Sequence, residues 1–199
     1  MELPLDLNKR YTYADYLTWW DDIRRELIDG FIHLMSPAPR NLHAKVSYNI
    51  SWNLGSILKK KRGKCEVRYA PFDVRFPKNG ESDDNKIYTV VQPDICVICD
   101  LSKLDQRGCC GAPDMIVEIL SPSTLKRDFN DKFNLYEEHG VKEYWIVHPE
   151  DKIINVFLIQ PDGKYDDGVI YEYEAKVPLQ IPVHIFDDQL IDLKDIFDE

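Results

Sequence analysis

At 199 residues the chain is long enough to bury a sizeable core, and its mix of 44% hydrophobic, 30% charged and 12% aromatic residues is that of a globular protein. No apolar run approaches the ~18 residues needed to cross a bilayer, and MELPLDLNKRYTYADYL has neither the basic nor the apolar region of a secretion signal, so a single cytoplasmic domain over 1–199 is expected. The net charge of −10 argues against a protein that coats nucleic acid non-specifically, while leaving room for a local basic patch.

In chain order, the near-helical spacing of Tyr16, Leu17, Trp20 and Ile23 predicts a short helix over residues 13–25. ELIDGFIHLM, 26–35, reads as a hairpin turning at Asp29-Gly30. The proline-rich loop SPAPRN, 36–41, leads into a helix over 42–61 with Val46, Ile50, Leu54, Ile57 and Leu58 on one face. LKKKRGK, 58–64, falls where that helix should end and where cations favour its dipole; a phosphate-facing patch is the alternative.

Three strands are predicted next, over 65–76, 90–99 and 113–120, with the acidic, asparagine-rich loop NGESDDNK between the first two. SPST, 121–124, offers capping chemistry for a helix over 125–140 that stops at Gly140. VKEYWIVH gives a further strand, and the remainder alternates in short runs suited to hairpins, ending in LIDLKDIF. Strand, strand, helix, strand implies helices packed on a sheet, so the fold class is α/β or α+β.

Five cysteines form no convincing metal set. Cys96 and Cys99 lie three apart on a predicted strand and so face opposite ways, which leaves buried reduced thiols as the expected state.

The carboxylates carry the chemistry. Pro-Asp occurs twice, in QPDICV and in PDMIVEIL. Asp114 and Glu118 share one strand and stand roughly 13 Å apart at ~3.3 Å per residue, too far to hold one ion, so Asp114 reads as a strand start. Asp94 starts a strand of its own, and the 24 residues to Glu118 let the chain return as its neighbour, only ~4.8 Å away. Glu118 lies inside an apolar strand, where a lone carboxylate is costly unless paired or metal-bound. A structural partner from Arg, Lys or backbone is the alternative to a metal.

ELIDG at 26–30, QPDICV at 92–97, PDMIVEILSPST at 113–124 and NLYEEHGVKEYWIV at 134–147 together resemble the Uma family of putative restriction endonucleases, within the PD-(D/E)xK nuclease superfamily. The resemblance covers nearly the whole chain from Tyr11 onward. It implies a restriction-endonuclease-like mixed central sheet flanked by helices, with the C-terminal hairpins as additions. It further implies Mg²⁺- or Mn²⁺-dependent hydrolysis of phosphodiesters in nucleic acid, DNA in the first place.

The superfamily lysine should stand two residues after the acid, where this chain has Leu120. The resemblance implies that Lys132 on the following helix takes its place, with Lys126 as a fallback; a lysine snorkelling at the edge of the helix stripe is the bland reading. Glu26 is implied as a further metal or water ligand beside Asp94 and Glu118, its bland reading being an exposed ion pair with Arg24 or Arg25. Asp128 and Tyr136 are candidates to support Lys132, and His43 either touches phosphate or is merely solvated. A symmetric homodimer would suit a double-strand cut. A non-catalytic binding or assembly module that keeps the fold is the rival, favoured by the acidic charge and the missing strand lysine.

Overall fold

The computed structural model describes residues 5–35, 41–78, 80–120, 128–174, 177 and 179–198. Among them the order is α1 (Tyr13–Tyr16), β1 (Arg25–Ile28), β2 (Phe31–Leu34), α2 (Asn41–Lys61), β3 (Glu66–Tyr69), β4 (Val74–Arg75), β5 (Val90–Val91), β6 (Ile95–Ile98) and β7 (Leu104–Asp105). There follow β8 (Gly108–Cys110), β9 (Met115–Ile119), α3 (Asp128–Glu138), β10 (Glu143–His148), β11 (Ile153–Leu158), β12 (Val169–Glu172), β13 (Gln180–Val183), β14 (Gln189–Asp192) and α4 (Leu193–Phe197). The loop at 36–40, the SPST segment and Lys126 lie outside the described residues.

The fold is mixed α+β, as expected. One six-stranded sheet runs β12-β11-β10-β9-β6-β3, a second runs β2-β1-β5-β4-β8-β7, and β13 pairs with β14 as a hairpin. In the first sheet β9 and β10 are parallel and every other pair is antiparallel. MIVEI and EYWIV read as near-continuous apolar runs because β9 and β10 are buried on both faces.

On one face Met115, Val117 and Ile119 pack with Val46, Ile50 and Leu54 of α2 and with Ile191 and Ile196 from the C-terminal elements. Those α2 residues recur every fourth position, so a single stripe meets the sheet. On the other face Cys96, Ile116 and Ile146 meet Leu135 and Tyr136 of α3 together with Val74, Phe76 and Val91 of the second sheet. This second face is where polar side chains are enclosed.

Several elements depart from the sequence expectations. Residues 65–76 and 90–99 each make two strands in different sheets rather than one, parted at Pro71 and Pro93. Proline has no N–H for a ladder, so each run breaks at its proline and crosses between sheets. The helix expected over 13–25 stops at Tyr16 after a Thr12–Asp15 capping box, and the continuation of its stripe, Leu17, Trp20 and Ile23, is exposed. Hydrophobic period alone cannot sustain a helix that no surface covers. The short β7–β8 hairpin was not read from sequence, and LIDLKDIF divides into the end of β14 and α4.

The reduced-thiol expectation needs correction for two cysteines. Cys65 and Cys99 form a disulfide, because the β3–β6 register sets Glu66 opposite Ile98 and so places the next residues out, Cys65 and Cys99, side by side. Cys96 and Cys109 are buried free thiols. Among the described residues no helix is long and apolar enough to cross a membrane.

Candidate active site

The ladder between β6 and β9 pairs Ile95 with Val117; one step further out, it sets Asp94 opposite Glu118. The Asp94 side chain turns back onto β9 and accepts a hydrogen bond from the Ile119 N–H at 2.8 Å. From the start of α2, His43 Nε2 stands 3.2 Å from the same Asp94 oxygen, Oδ2. Burial pulls the His43 ring towards neutrality, but the hydrogen bond and charge of Asp94, with Glu118 behind it, win and raise its pKa.

Glu118 is largely buried. Its Oε1 accepts Lys132 Nζ at 2.9 Å and Tyr136 Oη at 2.6 Å. Lys132 and Tyr136 are four apart on α3, so one face of the helix delivers both to the same carboxylate. Lys132 Nζ also donates to Glu26 Oε1 at 2.9 Å, which ties β1 of the second sheet to β9 of the first. The lysine thus bridges two acids brought together from different sheets.

Electrostatics follow from the enclosure. Burial pushes the Glu118 carboxyl up to about 7 despite the pull of Lys132, with the charges of Asp94 and Glu26 adding to the rise. For Lys132 burial works to strip its proton, but Glu118 and Glu26 outweigh it and hold the ammonium well above its ordinary range. Burial, then the neighbouring Glu118, likewise keeps the Tyr136 phenol protonated far beyond neutral pH.

The structure therefore brings Glu26, Glu118, Lys132 and Tyr136 into one hydrogen-bonded cluster, with Asp94 and His43 beside it. Glu26 is buried, not part of an exposed pair with Arg24 or Arg25; Arg25 instead takes Asp21. Asp114 stands apart: its oxygens accept the Cys99 N–H at 2.7 Å and Lys142 Nζ at 2.7 Å, fixing the strand ends. The Asp128 side chain lies outside what the structure describes.

Gln92 was missed by sequence reasoning. Its backbone N–H donates to Glu26 Oε1 at 2.8 Å, while its side chain is held by Asp73, Tyr16 and Arg24. Its contact with Glu26 is made by the backbone, so the residue type carries no signal of it. Glu143, a fully buried acid, was also missed; it accepts Trp145 Nε1 and the Ile185 N–H, and so ties β10 to the turn before β14.

The donor set suits a hard divalent cation: Glu26 and Glu118 share one lysine, and Asp94 stands opposite Glu118 on the neighbouring chain segment. Among the described residues, Glu118 Oε2 and Asp94 Oδ1 have no hydrogen-bond partner, whereas Oε1 and Oδ2 are taken. With Lys132 between Glu26 and Glu118, no three described acids, histidines or cysteines close into an ion cage in this arrangement.

A mixed sheet that brings acids from separate strands against a helix lysine defines a nuclease-like protein with a restriction-endonuclease-like core. The chain belongs to the Uma2 family, described as "Putative restriction endonuclease", whose profile matches residues 13–184. It is 28% identical over 170 residues to an uncharacterized protein of Synechocystis sp., covering 84% of this chain and 82% of that one. Its fold is similar to the crystal structure of "a putative nuclease belonging to DUF820" from Anabaena variabilis, with a TM-score of 0.70 and 19% identity over 94% of this chain and 97% of that one.

Proposed function

We propose that the protein is a divalent-metal-dependent endonuclease that hydrolyses phosphodiester bonds, with DNA as the substrate. The observation that carries this reading is that Lys132 Nζ joins Glu26 of one sheet to Glu118 of the other, with Asp94 set opposite Glu118 by the β6–β9 register. Restriction-endonuclease-like families typically use a divalent metal, and Mg²⁺ or Mn²⁺ held by these three carboxylates would polarise the scissile phosphate and lower the pKa of a bound water.

The chain's own groups divide the remaining work. Lys132 keeps its proton at Nζ across the working pH range and offers a fixed positive charge to the attacking water and to charge developing on the phosphate oxygens. Tyr136 Oη holds Glu118 Oε1 in place, and the Gln92 N–H does the same for Glu26. The Ile119 N–H orients Asp94, leaving its other oxygen to bind. A symmetric homodimer would bring two such sites to opposite strands.

The test is nicking and linearisation of supercoiled plasmid with Mg²⁺, Mn²⁺ or EDTA, beside Asp94→Ala and Lys132→Ala. Metal-dependent cleavage by the native chain that disappears in Asp94→Ala is expected. One observation favours a second reading, a non-catalytic module: Lys132 already satisfies Glu26 and Glu118, as a purely structural ion pair would. Absence of cleavage in every metal, together with no Mn²⁺ binding by calorimetry, would decide for that module.

A further inference from the structure

α2 is the one long helix among the described residues that carries aromatic rings to solvent. Its inner stripe is covered by the sheet, yet Tyr48 and Trp52 are each 65% exposed and stack on one another, ring centroids 6.4 Å apart. At 100° per residue Lys45, Tyr48, Trp52, Gly55 and Lys59 fall on a single outward face about 21 Å long at ~1.5 Å per residue. Residues 41–64 contain no Asp or Glu, whereas they hold Lys45, Lys59, Lys60, Lys61, Arg62 and Lys64, in a chain whose net charge is −10.

Gly55 sharpens the picture. A methyl group there would meet nothing within 4 Å, so no packing within the protein requires glycine, although glycine weakens a helix interior relative to alanine. One turn beyond Trp52 it leaves an open step beside the rings. The same helix begins at the site, where His43 touches Asp94. From the other side, Tyr69 of β3 is exposed and pairs with Ile95, next to Asp94, while Ala70 N–H bonds the Asp94 carbonyl at 3.0 Å.

Charge decides which surface this is. The other strongly exposed tryptophan, Trp20, is followed directly by Asp21 and Asp22, which would repel phosphate. On α2 the aromatic rings are flanked by lysines, the combination that binds unpaired nucleic acid: bases stack on rings while cations follow the backbone. Bases within a duplex present edges to a groove and cannot stack on such rings.

We propose that the outward face of α2, built on Tyr48 and Trp52 with Lys45 and Lys59, is a track for an unpaired nucleic-acid strand leading to the Asp94 carboxylate site. The inference rests on the nuclease reading and names its substrate more closely, as a strand with unpaired bases beside the cut rather than an intact duplex.

The experiment is fluorescence anisotropy of the full chain, in EDTA so that nothing is cut, with labelled single-stranded and duplex oligonucleotides of DNA and RNA. The native chain should bind the single strand at least tenfold more tightly than the duplex. Trp52→Ala should weaken that binding roughly tenfold or more, with Trp52→Phe retaining most of it. Lys45→Ala with Lys59→Ala should lower the salt dependence of log Kd by about 1.4, at ~0.7 per phosphate contact on a single strand. Circular dichroism checks the fold, which an exposed tryptophan does not hold up.

Unchanged binding in Trp52→Ala, or a duplex preferred to a single strand, would overturn the track even if metal-dependent cleavage is present. Dissociation of a dimer by Trp52→Ala, read by sedimentation, with strand binding intact would reassign the face to a second copy of this chain and also overturn it. Strand binding lost in Trp52→Ala but with no metal-dependent cleavage would support the track while removing the nuclease reading.

Discussion

Two Pro-Asp pairs open neighbouring antiparallel strands, and they end in different surroundings. Asp114 lies at the sheet end, where its carboxylate takes a backbone N–H and the mostly exposed Lys142. Asp94 lies beside the first turn of α2; it too takes a backbone N–H, but next to His43 and opposite the buried Glu118, which itself holds Lys132. The dipeptide sets up the same local geometry in both: a strand start whose carboxylate folds back onto an adjacent strand. What differs is what other elements bring to it, the 65% exposed Lys142 in one case and His43 from the start of α2 in the other.

The sharpest way to separate the two regions is through their lysines. Lys132→Ala would leave Glu26 and Glu118 buried without their cation and should destabilise the fold by about 3–5 kcal/mol, measured by urea unfolding. A loss below 1 kcal/mol would mean that the cluster is wetter than its enclosure suggests.

Asp94→Ala should then cost cleavage ~100-fold or more, since even groups supporting a metal ligand are worth 10–100-fold, together with about 2 kcal/mol of stability through the orphaned Ile119 N–H. Asp114→Ala should share the loss of stability without the loss of cleavage. It should lose about 2 kcal/mol through the orphaned Cys99 N–H, while activity per folded molecule stays within about threefold. If Asp114→Ala alone abolished cleavage, the assignment of the two Pro-Asp pairs would be reversed.

Proton linkage gives a smaller effect on the Asp94 side. The Glu118 carboxyl is raised from the ordinary 4.5 to about 7, so between those values the folded chain holds a proton that the unfolded chain has released. Stability should therefore fall as pH rises from 4.5 to 7 and level off above, while metal binding and cleavage rise through about pH 7 as the carboxylate forms. Glu118→Gln should flatten the stability slope in chemical denaturation at pH 5 and pH 8; an unchanged slope would place the proton elsewhere. The smallest effect is expected from Lys142→Ala, whose exposed pair should contribute at most ~1 kcal/mol.

Much of the fold was legible in the chain because local physics suffices for it. The period of Val46, Ile50 and Leu54 announces α2, and the unbroken apolar run MIVEI announces a strand buried on both faces. Glu118 stood out for the same reason, an acid where the pattern demands a hydrocarbon. The candidate cluster was named from that oddity and from family resemblance. Gln92 escaped because its part is played by a backbone N–H, which no side-chain pattern records.

The sequence by itself determined which segments are apolar stripes, where proline must interrupt a ladder, and that an acid-free basic stretch exists within an acidic chain. Only the tertiary structure decided that residues 65–76 and 90–99 cross between two sheets, that Cys65 lies opposite Cys99, and that Glu26 shares a lysine with Glu118 across 92 residues of chain. The physical reason is range. Helix stripes and strand breaks follow from neighbours within one or two turns, whereas register between strands and the meeting of charges follow from how whole faces pack, which no short window contains.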